Sequence, residues 1–160
     1  MLTTSSLRCG YFDLADWEAT HLEYPRATLY RLPIDREWVS HLPEREGLSA
    51  KIDAIVCRIG RLQDYIGEIL IARFIKLLGG QVRSLRVALS YMDRMGWLAS
   101  AEAFVGASKL RNLLVREYMV DMDLFLESLL AAELVTRMLS QVARRMWDHA
   151  DGLGLKNQHA

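Results

Sequence analysis

Residues 48–80 read LSAKIDAIVCRIGRLQDYIGEILIARFIKLLGG. The apolar positions Leu48, Ile52, Ile55, Ile59, Leu62, Ile66 and Ile69 are spaced alternately by four and three. A turn of about 3.6 residues returns to the same side at those offsets, so the stretch reads as one face of an α-helix. The pattern continues on a shifted stripe through Leu70, Phe74 and Leu77, and Gly79-Gly80 closes it with residues that tolerate the left-handed backbone of a helix end. At about 1.5 Å per residue the helix runs on the order of 45 Å. That is long for a small domain and typical of a helical bundle.

Downstream, QVRSLRVALSYMDRMG (81–96) places Leu85, Val87, Leu89, Met92 and Met95 in rough helical register, and Gly96 ends it. Ser100 is the expected cap of a third helix, AEAFVGASKLRNLLVREYM, in which Phe104, Ala107, Leu110, Leu114 and Tyr118 share a broad face. Asp121 or Asp123 then starts a fourth, LFLESLLAAELVTRMLSQVARRMWDHA. No segment alternates with the enrichment in valine, isoleucine and aromatics that marks a strand. The fold expected is all-α: an up-and-down four-helix bundle over 45–150, because short connections force neighbouring helices antiparallel.

Upstream, all three prolines, Pro25, Pro33 and Pro43, fall within the first 45 residues. The asymmetry predicts an irregular N-terminal arm over 1–44 with short helices, one in DLADWEATHLEY and one in DREWVSHL capped by Asp35. The tail 151–160, DGLGLKNQHA, has two glycines and no periodicity and is expected to be flexible.

The totals exclude some function classes. At 160 residues the chain has the size of one domain. Twenty cations balance twenty anions, so no bulk field recruits nucleic acid or an anionic membrane, and any such site must be local. Arginine far outnumbers lysine, which suits bidentate contacts to carboxylate or phosphate and also follows from a biased base composition. Cys9 and Cys57 fit neither a metal-ligand spacing nor a disulfide framework, so reduced thiols are expected. No signal-peptide pattern opens the chain and no apolar run is long enough to span a membrane, which predicts a cytoplasmic protein without membrane contact.

The chain has no glycine-rich phosphate loop, paired CxxC, HExxH or nucleophile elbow. Its one Glu-x-x-His pair, Glu18 with His21, lies in the N-terminal segment, and the four histidines, His21, His41, His149 and His159, lie there or near the C-terminal end. No metal and no cofactor are expected. The methionines and the WLAS segment read as core filling. Arg144 and Arg145, in RMLSQVARRMWDH, read as cations complementing a helix end.

SKLRNLLVREYMVD (108–121) is less easily absorbed by a solvated face. Arg111 and Tyr118 are seven positions apart, nearly on one side of the helix and about 10 Å apart along its axis. Val115 sits between them and Arg116 is rotated away. Two readings stand: a functional site, or an Arg111 that pairs with a carboxylate on a neighbouring helix beside a Tyr118 that packs.

The stretch LRNLLVREYMVD resembles the signature of the HEPN superfamily, in particular its HepT-like branch. That signature has Arg, a polar residue, three more residues, His, one residue and Tyr. Here the match is Arg111, Asn112, Leu113 to Val115, Arg116 at the histidine position, Glu117 and Tyr118. LSAKIDAIVCRIGRLQDYIGEIL is similar to the long first helix of such proteins, and the resemblance runs from about Ile34 to His149. It implies a homodimer whose motifs face one another across a cleft and a metal-independent endoribonuclease activity. It also implies a toxin paired with a small nucleotidyltransferase that transfers AMP to the motif tyrosine, here Tyr118.

The departure bears on catalysis. Arginine stabilises charge on phosphate oxygens, but Arg116 is permanently protonated and cannot accept the proton that a histidine accepts. The catalytic pair Arg111 and Arg116 is therefore expected to be inactive. Arg111, Asn112 and Arg116 remain as RNA- or nucleotide-binding residues, with Tyr118 as the site for AMP. Two alternatives stay open: an active ribonuclease with another proton carrier, and a structural partner subunit of a nucleotidyltransferase.

Overall fold

The computed structural model describes residues 4–116 and 120–152, with side chains described for 10–115 and 120–152. Among them all regular structure is helical. The elements are α1 (Thr4–Leu29), α2 (Arg36–Ser40), a 3-10 turn (Leu42–Glu44) and α3 (Glu46–Tyr65). A π turn (Ile66–Leu70), α4 (Ile71–Leu77), α5 (Leu85–Arg94), α6 (Ala101–Arg116) and α7 (Met122–Gly152) follow.

The long seam is present, and its shift has a physical cause. The helical path is unbroken from Glu46 to Leu77, but residues 66–70 form a π turn that inserts one extra residue. Ile69, which a regular helix would keep on the seam, is only partly buried, whereas Leu70, Ile71 and Phe74 are fully buried. Gly79 ends the path with φ +86°.

The N-terminal segment departs from the expected irregular arm. Residues 4–29 form a single 26-residue helix with Pro25 inside it. Phe12, Ala15, Ala19, Leu22 and Leu29 recur at helical spacing and are buried in the core. Proline removes one backbone donor, which orphans the carbonyl four residues earlier. Here that carbonyl belongs to His21, and it accepts a hydrogen bond of 2.7 Å from Arg58 Nη1 on α3. A side chain from the neighbouring helix supplies the donor that the proline lacks.

Capping follows the sequence closely. Asp35 Oδ1 accepts from Trp38 N at 2.8 Å, Ser100 Oγ from Ala103 N at 3.0 Å and Asp121 Oδ1 from Leu124 N at 3.0 Å. Asp93 Oδ2 adds a bond of 2.9 Å from Ala101 N at the start of α6. The helix expected over 81–96 is shorter. It begins at Leu85, where Ser84 Oγ accepts from Val87 N, and its C-cap Met95 is followed by Gly96 at φ +78°.

α1 packs against α3 and α7, and α6 packs against the same two helices. Contacts at two points along the helices show three of these pairs to be antiparallel. On α1 and α7, Tyr30 OH donates to Leu129 O at 2.6 Å, and Trp147 Nε1 donates to Asp13 Oδ1 at 2.8 Å at the far end. On α1 and α3, Tyr65 OH donates to Tyr11 O at 2.9 Å while Arg58 meets His21. On α3 and α6, Arg111 lies over Gly60 and Phe104 lies against Gly67. Burial raises the Tyr30 phenol well above its ordinary range and the Tyr65 phenol to about 12, so both stay protonated as donors. The ten-residue α5 touches α4 and α6 at one end of the assembly. The helix expected at 81–96 is thus reduced to ten residues, and a long α1 stands where an arm with short helices was expected. Among the described residues, no helix is long and apolar enough to cross a membrane.

Candidate functional site

The site grows from a close approach of two helices. Gly60 lies inside α3, where glycine costs about 1 kcal/mol relative to alanine and therefore signals a packing reason. The reason is Arg111 on α6. A methyl group built at Gly60 would collide with Arg111 Nη1 and crowd its Cζ and Cδ. The guanidinium therefore lies across bare α3 backbone, with a quarter of its side chain still exposed.

One turn further along α3, Asp64 Oδ1 stands 3.6 Å from Arg111 Nη1. This is an ion pair beyond hydrogen-bonding distance, to a carboxylate that is 58% exposed. Such a contact holds the arginine weakly and leaves donors that no described residue takes up. Beside it, Gln63 is buried, and its Nε2 donates to Phe104 O at 2.8 Å and to Ser108 Oγ at 3.2 Å. Gln63 Oε1 is buried and has no hydrogen-bond partner among the described residues. Ser108 and Asn112 are exposed on the same helix as Arg111.

The residues expected to form the site fare unequally. Arg111 is fixed at the α3–α6 crossing and Asn112 adjoins it on the surface. Arg116 is the last residue of α6, and its side chain lies outside the described residues. Tyr118 also lies outside them, and with it the Arg111-to-Tyr118 spacing. The carboxylate partner that the packing alternative required is Asp64. Sequence reasoning did not single out Gly60, Gln63, Asp64 or Ser108. The available signals were a glycine inside an amphipathic helix and an amide beside the apolar seam.

Of the other candidates, Arg145 donates to Gly96 O at 3.0 Å and Arg144 is exposed. His149 packs edge-on against Phe74 and Trp97, with ring centroids 5.5 and 5.0 Å away, so it is part of an aromatic cluster near the end of α7. Among the described residues, no three His, Cys, Asp or Glu side chains are grouped to hold a metal ion. Comparison of the chain with family models, with characterised proteins and with solved structures finds no match.

Proposed function

We propose that this chain is a HepT-like HEPN protein of a toxin–antitoxin or nucleotidyltransferase-linked system, which binds RNA or a nucleotide at a degenerate ribonuclease site. In this reading the assembly is an up-and-down four-helix bundle, cytoplasmic and homodimeric, with Arg111 and Asn112 of each copy facing a shared cleft. The observation that carries it is the seating of Arg111. Its guanidinium is held over Gly60, partly exposed, and among the described residues its one ion pair is a 3.6 Å contact to a solvated carboxylate. An arginine so positioned loses little conformational freedom on meeting a phosphate, and most of its donors are not spent on any described residue.

Arg116 occupies the position at which the resembled family has its proton carrier. A permanent cation adds phosphate affinity and removes general-base chemistry, so the site binds without turnover. Tyr118 is the residue that a partner nucleotidyltransferase would load with AMP.

The test is a gain of function. Arg116→His is expected to confer metal-independent cleavage of single-stranded RNA on a chain that otherwise has none, and adding Arg111→Ala is expected to abolish it. No gain with Arg116→His would overturn the degenerate-site reading. Cleavage by the unmodified chain that Arg111→Ala removes would replace it with an active ribonuclease.

The Asp64 contact favours a second reading, in which Arg111 only ties α6 to α3 and the chain serves as a structural partner subunit. Under that reading Asp64→Asn and Arg111→Ala lower stability by a similar amount. Neither changes RNA or nucleotide binding.

A further inference from the structure

We infer that the groove between α1 and α7 binds a single-stranded nucleic acid, with arginines of α7 on the phosphates and exposed aromatic residues of α1 under the bases. This surface does not depend on Arg111. α1 and α7 share one seam and α3 and α6 share another, each pair being linked to the other through α1–α3 and α6–α7, so the two seams lie on opposite sides of the core.

The groove encloses about 690 Å³. Ala19 and Ser140 line it, small residues that leave room between the helices. Four guanidinium groups line it against two carboxylates, Glu23 and Asp148. They divide into a closed end and an open end. At the closed end Arg26 bonds to Glu23 and also reaches Glu133 at 3.5 Å, and Glu133 in turn accepts from Arg137 at 2.8 Å. These charges largely satisfy one another. At the open end Arg144 is exposed and makes no hydrogen bond or ion pair with any described residue, and Arg145 spends one Nη1 on Gly96 O. Gln141 lies between them and Arg137 and adds an amide to the same wall.

The second observation is independent of the charge. Thr20 lines the groove from α1, and its neighbours on the helix surface, three residues before and four after, are Trp17 and Tyr24. Trp17 is 52% exposed and Tyr24 78%. Trp17 is stiffened by His21, whose ring lies 3.8 Å from it by centroids and whose Nδ1 is 2.9 Å from Trp17 O. Two large aromatics in water beside a cationic groove match what single strands require: guanidinium groups tracking the backbone, and flat faces that any base can stack on. Duplexes keep their bases stacked inside and offer nothing to Trp17 and Tyr24.

The test measures fluorescence anisotropy of the full chain with labelled 12-nucleotide single strands, RNA and DNA of one sequence, and with the corresponding DNA duplex. Both single strands are expected to bind more tightly than the duplex; preference for one of them identifies the sugar recognised. Tyr24→Ala and Trp17→Ala should each weaken single-strand binding by about 5- to 150-fold, the range for loss of one base–aromatic stack. Arg144→Ala should weaken binding and flatten the plot of log affinity against log salt by about 0.7, the share of one phosphate contact, while Arg144→Lys keeps the slope. Thermal melts confirm that each variant is folded. The inference fails if Arg144→Ala and Tyr24→Ala leave binding unchanged. It also fails if the aromatic variants only dissociate a homodimer, which would make this face a self-association surface. Loss with Arg111→Ala alone would support the α3–α6 site and sink this one, and loss with Arg144→Ala alone would do the reverse.

Discussion

Gly60 and Arg111 are a pair in which one residue exists to make room for the other. An alanine at position 60 gains about 1 kcal/mol of helix propensity. It also pushes the guanidinium off the α3 backbone and away from Asp64, an exposed ion pair worth about 0–1 kcal/mol. These effects nearly offset. Gly60→Ala is therefore expected to move Tm by no more than about 4 °C in a chain of this size. In the Arg116→His background it should abolish RNA cleavage as fully as Arg111→Ala does. A melt and a cleavage assay on the same samples check it; retained cleavage would mean that the seating of Arg111 is irrelevant to its chemistry. Arg111 was legible as a candidate from its spacing to Asn112 and Tyr118. Its dependence on Gly60 was not, because the contact joins residues fifty-one positions apart.

At the level of the helix, Pro25 is the instructive element. A proline inside a helix argues for a break when only the local chain is considered, since it removes a hydrogen bond and clashes with the preceding turn. α1 continues through it because α3 brings Arg58 to the orphaned His21 carbonyl. The two residues should be energetically coupled. Arg58→Ala alone is expected to destabilise by about 0.5–1.5 kcal/mol, the net worth of one hydrogen bond. In a Pro25→Ala chain, where residue 25 can donate to His21 itself, the same change should cost markedly less. Urea denaturation of the four chains of this double-mutant cycle measures the difference. Equal costs in both backgrounds would refute the compensation. The caps at Asp35, Ser100 and Asp121, by contrast, were readable from the sequence, because a cap acts within four residues of itself.

At the level of the whole molecule, α1 decides how the core is closed. It buries Phe12, Leu22 and Leu29 together with Ala15 and Ala19. Three large side chains at about 1.5–3 kcal/mol each amount to much of the net stability of about 5–15 kcal/mol typical of a domain. A chain that begins at residue 35 is therefore expected to lose cooperative thermal unfolding and near-ultraviolet dichroism. A sharp melt of that fragment would show that residues 1–34 are dispensable for the fold.

The sequence alone determined the helical class, the long seam of 48–77 with its shift, and three of the caps. All of these rest on periodicity or on contacts a few residues apart, which one chain displays in order. Only the tertiary structure decided that α1 is a continuous rod and that 85–94 is a short helix at one end. It alone brought Arg111 to Gly60 and Asp64, and lined a groove between α1 and α7 with arginines. Each of these depends on a neighbour from a distant part of the chain, supplying a donor, a space or a charge that changes what the local segment can do.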